Sequence, residues 1–130
     1  MENKIKKHKS YLKDLIDNKK NEISLLMQQQ RSDEANHAKI ELNVIEIFEK
    51  MFIISYQKTK PMIQSDEEKA LEVLSHTYLA YFDKIPHNWQ VNLEKSIQYQ
   101  DSETEYIERL KLNQANTLKT HFNEVMHMEV

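Results

Sequence analysis

The residues best suited by type and spacing to do chemistry are two Glu-x-x-His pairs, Glu34–His37 and Glu124–His127. On a helix, positions i and i+3 share a face, so the carboxylate and imidazole of each pair can reach one ion. Helical proteins that hold two metal ions use such a pair on each of two helices and a lone Glu on each of the other two. Glu41 lies one turn beyond His37 on the same face, and His121 falls in the apolar stripe of the last segment, so both join the candidate set. The lone carboxylates are missing, because Glu72 and Glu94 do not fall on core-facing positions. In an up-and-down bundle the two pairs also stand at opposite ends of parallel helices, roughly 40 Å apart. Only a five-helix path brings them level. A helical chain with 21 acidic residues and six His contains such spacings by composition alone. The expectation is therefore no bound metal and no other cofactor, with Glu41 buried or half-buried and bonded to a histidine.

The other histidines carry less. His76 points away from the apolar face of its segment, His87 adjoins Pro86 in a loop or kink, and His8 lies near the apolar face of the first segment at an end expected to fray. No Ser/His/Asp arrangement marks a nucleophile, and no catalytic residue is assigned. The chain has no Gly and no Cys. That excludes glycine-built phosphate loops, dinucleotide fingerprints and nucleophile elbows. It also excludes disulfides, thiolate zinc sites and iron–sulfur clusters.

An aromatic group, Tyr78, Tyr81, Phe82 and Trp89, has two readings: a small-molecule pocket, or core packing beside a kink. Helical-face spacing favours the core. Base stacking is not expected, since residues 78–106 offer few cations among many acids. Net charge is −3, with a local +4 in residues 1–20 and a local −7 in the rest, so no nucleic-acid partner is expected. The Lys6, Lys9, Lys13 and Lys20 stripe reads as a solvated face. Its apolar side lacks Trp and Phe, which argues against membrane-surface binding. The longest apolar run, Met51-Phe52-Ile53-Ile54, is far too short to span a bilayer. The basic start is followed by no apolar stretch, so no signal peptide is expected and the cytoplasm is the default.

These side chains must be positioned by helices, because the 130 residues read at helical period throughout. Segments one (about 3–30), two (to about 59) and five (from about 102) are long. Segment two starts near Asp33 as a cap and ends before Pro61. Segment three starts with a capping box at Ser65 and Glu68, segment four follows Pro86, and segment five starts with a second capping box at Ser102 and Glu105. The expected fold is all-α: one domain, an up-down-up-down four-helix bundle with the third helix kinked or broken at Pro86, or alternatively a five-helix bundle. Segment two is apolar over about 260° of its circumference. It is either the central helix, or its extra stripe of Ile40, Ile47 and Ile54 meets another chain.

No motif identifies a family. The abundance of Lys, Asn, Ile and Glu without Gly resembles the composition of small helical bacterial proteins from AT-rich genomes. The functional expectation is a non-enzymatic protein-interaction or regulatory module that binds a protein partner or self-associates through segment two. A metal or carboxylate–histidine site and an aromatic pocket are the alternatives.

Overall fold

A computed structural model describes residues 1–128. Within them the chain is all-helical, with no strand: α1 (Glu2–Gln28), α2 (Ser32–Thr59), a single 3-10 turn at Lys60–Met62, α3 (Glu67–Lys84), α4 (His87–Gln98) and α5 (Ser102–Met126). None of these helices is long and apolar enough to cross a membrane.

The helix starts fall one residue away from the serines expected to cap them. Asp66, in extended backbone, accepts from the Lys69 amide at 3.1 Å and caps α3. Asp101 accepts from the Thr104 amide at 3.2 Å and from its hydroxyl at 2.7 Å and caps α5. A carboxylate there answers both an orphan N–H and the positive end of the helix dipole, which a serine hydroxyl does not. Helix α2 starts at Ser32 with no side-chain cap, so Asp33 lies inside its first turn rather than at the cap.

Helices α1 and α4 end alike. Arg31 N donates to Leu26 O and Gln30 N to Met27 O, and likewise Asp101 N to Ser96 O and Gln100 N to Ile97 O. These are Schellman turns, whose C′ residue is left-handed. With no glycine to use, the chain puts Gln30 at φ 59° and Gln100 at φ 57°.

Helix α2 packs against α1, α3 and α5, which covers most of its apolar girth and leaves Ile53 exposed and Ile40, Ile47 and Ile54 half-buried. Leu12, Ile45, Phe48, Phe52, Leu74, Tyr78, Leu118 and Phe122 are sealed from water and form the main core. Phe48 and Phe82 stack face to face at 4.1 Å. Helix α4 packs mainly on α5, with Lys111 Nζ 5.8 Å above the Trp89 ring. Pro86 is buried between Lys84, where α3 ends, and His87, where α4 begins. A second, smaller apolar cluster of Leu26, Ala35 and Ala38 closes the α1–α2 turn.

Candidate functional site

Two places gather polar chemistry: a buried chain of rings where the start of α1 meets the end of α5, and an open cleft where α2 and α5 begin.

The ring chain is centred on His8. The 3–4 spacing of Ile5, His8 and Leu12 puts the imidazole on the buried face of α1, where it is fully enclosed. The start of α1 is not frayed there: Ile5 is buried and Lys4 Nζ donates to the Met126 carbonyl at 2.8 Å. Phe52, Tyr78 and Phe122 meet the His8 ring edge-on at 4.9, 5.4 and 5.2 Å. Its Nε2 lies 2.9 Å from the Tyr78 hydroxyl and its Nδ1 lies 3.0 Å from Nδ1 of His121. Tyr11 stacks flat on His121, 3.6 Å between centroids.

Polar satisfaction fixes the direction of this chain. The Tyr78 hydroxyl is buried, so its hydrogen must go to His8 Nε2 or go unpaired. His8 then carries its proton on Nδ1 and donates it to Nδ1 of His121. Burial, and then the neighbouring His121, lowers the His8 pKa from 6.5 to about 3. Burial also lowers that of His121, against an upward pull from Glu124, and burial pushes the Tyr78 hydroxyl well above its ordinary range.

The His8–His121 geometry is that of a hydrogen bond and not of a chelate. With Nδ1 atoms 3.0 Å apart and ring centroids 5.2 Å apart, the two nitrogens point almost head-on. An ion needs about 2.0 Å to each nitrogen and would have to lie off that line.

The cleft arises from a change of character along α2. Glu34, His37, Glu41, Phe48, Phe52 and Thr59 recur at helical spacing on one face. From Val44 onward that face is closed core. Toward its start it is polar and opens into a hollow of about 620 Å³ with Asn18, Asn21, Glu22, Leu25 and Leu26 of α1 and Tyr106 and Leu110 of α5. His37 packs on the Tyr106 ring at 4.8 Å. Leu25, Met27 and Tyr106 are more than half exposed. Glu41 is half-buried, and its partner is Lys19 at 3.0 Å rather than a histidine. Lys19 also reaches Glu22 at 3.1 Å. Burial alone would lower the Lys19 pKa, yet the bonds to Glu41 and Glu22 hold it above its ordinary value. Lys19 interrupts the apolar stripe of α1 because it faces this carboxylate. Glu34 pairs with Arg31.

The remaining candidates are dispersed. Glu124 and His127 are exposed near the end of α5, where His127 Nδ1 donates to the Asn123 carbonyl at 2.7 Å. They lie far from Glu34 and His37, and among the described residues no three His, Asp or Glu side chains group as metal ligands. Tyr78 and Phe82 belong to the core, with Tyr81 and Trp89 packed on its margin. Phe82 also edges a hollow of about 170 Å³ with Pro86 and Ala115. Ile40, Ile47 and Ile54 are half-buried, and Ile53 beside them is 38% exposed.

No family model matches the chain, and neither a curated protein nor a solved structure is significantly similar to it.

Proposed function

We propose that the protein is a non-catalytic interaction module that receives a protein partner in the cleft between α1, α2 and α5. The observation that carries this is the cleft itself. Three polar residues, Glu34, His37 and Glu41, occupy the core-facing line of α2 and surround a hollow of about 620 Å³. Burying such groups in a closed core costs several kcal/mol unless each is paired, whereas an open cleft keeps them wet until a partner arrives. The hollow is of the size that ligand sites have, and exposed Leu25 and Tyr106 in its lining supply the apolar and aromatic anchors that interfaces use. Its carboxylates are engaged with Lys19 and Arg31, which favours recognition over acid–base chemistry.

This reading takes the helices as an up-down-up-down bundle whose third member is α3 and α4 together, broken at Pro86. Two contacts support it: His8 near the start of α1 meets His121 near the end of α5, and His37 near the start of α2 meets Tyr106 near the start of α5. The outer stripe of α2, Ile40, Ile47 and Ile54, is the second surface. Its partial exposure, with Ile53, favours a second copy of the chain there.

The test places a photoreactive side chain at Leu25 or, as a control, at Lys13. The cleft position is expected to give a discrete adduct with one partner and the control none. Equal labelling from both positions, or none from Leu25, counts against the cleft. Light scattering at micromolar concentration tests the α2 surface separately: a strict monomer removes it.

A further inference from the structure

We propose that the His8–His121 pair is an acid-operated latch: a second proton entering the pair releases the first three turns of α1 from α5 while α2, α3 and α5 stay packed. A head-on N–H···N bond at 3.0 Å holds one hydrogen. When both rings are fully protonated, two N–H groups face each other and two cations share an enclosed site.

The surroundings offer that charge little compensation. From α2 the ring meets Phe52, which cannot ionise. From α3 it meets the Tyr78 hydroxyl, whose proton is already directed at His8, so a cation on His8 has to reverse that bond. From α5 come His121 and Phe122, with Glu124 near His121 on the outer, exposed side, where it attracts a proton to the pair's outer member. From α1 itself come Tyr11, stacked on His121, and Lys4, a further cation.

The start of α1 is tied to α5 by this bond, the Tyr11–His121 stack, the His8–Phe122 contact and the Lys4–Met126 bond, to α3 by the Met1 ammonium on Glu67, to α2 by the Tyr56 hydroxyl on Glu2, and to the core by Ile5 and Leu12. The second half of α1 is held separately, by Lys19 on Glu41 and by Leu26 in its own cluster with Ala35 and Ala38. Lifting the first three turns withdraws Ile5 and Leu12 from the core and exposes Phe52 and Tyr78, while the rest of the helix keeps its own ties to α2. Partial opening of this kind is commonest at the ends of a fold, where a segment can leave without unfolding the elements behind it.

Amide hydrogen exchange at pH 7.5 and pH 4.5, corrected for intrinsic rates, reads the latch. At pH 4.5 protection at Ile5–Leu12 is expected to have fallen well below its value at pH 7.5 and to lie at least tenfold below that at Phe48 and Leu118, because the opened segment takes up the proton without global unfolding. Equal protection at all these residues at pH 4.5 is ordinary acid unfolding and overturns the latch, as does no loss of protection at Ile5–Leu12 between the two pH values. His8→Gln keeps a donor for His121 and an acceptor for Tyr78 but does not titrate, so its α1 protection is expected to lose most of the acid dependence. A folded H8Q chain whose protection at Ile5–Leu12 falls with acid as far as the unaltered chain's overturns the assignment to this pair. If H8Q does not fold, the local or global pattern in the unaltered chain decides.

Discussion

Lys19 on α1 and Glu41 on α2 meet at 3.0 Å where the inward face of α2 changes from apolar to polar. Their side chains are 18% and 24% exposed, so the pair closes the core on one side and floors the cleft on the other. Removing one partner strands the other in a poorly solvated place. Lys19→Met is expected to lose about 1–2 kcal/mol in denaturant unfolding. The double variant Lys19→Met/Glu41→Leu is expected to regain that loss, since well-packed apolar side chains replace such pairs at little cost. A double variant as unstable as the single one counts against the pair's place at this boundary.

Acid lowers stability through His8. An unfolded imidazole takes its proton near pH 6.5, whereas enclosed His8 takes it only near 3. Between those values the unfolded chain binds the extra proton, so stability falls as the pH falls through that window and is level above it. The whole window spans about 5 kcal/mol, of which about 2 is expected at pH 5. Denaturant midpoints from pH 8 to pH 4 measure it, and His8→Phe is expected to flatten the curve.

The aspartates, not the neighbouring serines, cap α3 and α5. Asp66→Ala and Asp101→Ala are each expected to cost about 1 kcal/mol. Ser65→Ala and Ser102→Ala are expected to stay within about 0.5 kcal/mol of the unaltered protein. Thermal unfolding of the four variants separates the two assignments.

Glutamine at a left-handed position costs energy that glycine avoids. Gln30→Gly and Gln100→Gly are each expected to raise stability by about 0.5–1 kcal/mol, after the entropy that glycine adds to the unfolded chain. Gln29→Gly, one residue back at φ −85°, is expected to lower it.

The helices were legible because each carries its own periodicity, and a Pro or an acidic start marks most boundaries. The caps were misread by one residue because Ser-x-x-Glu and Asp-x-x-Lys or Asp-x-x-Thr overlap in register, and only backbone geometry tells which oxygen reaches which N–H. Glu34, His37 and Glu41 were visible as one face of α2. That this face opens into a cleft, and that Glu41 answers Lys19, depends on how α1 and α5 lie beside it. His8 was visible as a polar residue within an apolar stripe. Its partners stand 70 and 113 residues away, and no local spacing announces them.

By itself, then, the amino-acid order determined an all-helical chain with its apolar faces assigned, because helix formation and amphipathicity are decided over a turn or two of backbone. Only the tertiary structure decided which polar residues lie on closed core and which on open cleft. That depends on the angle at which one helix crosses another, and so on the packing of all the side chains between them.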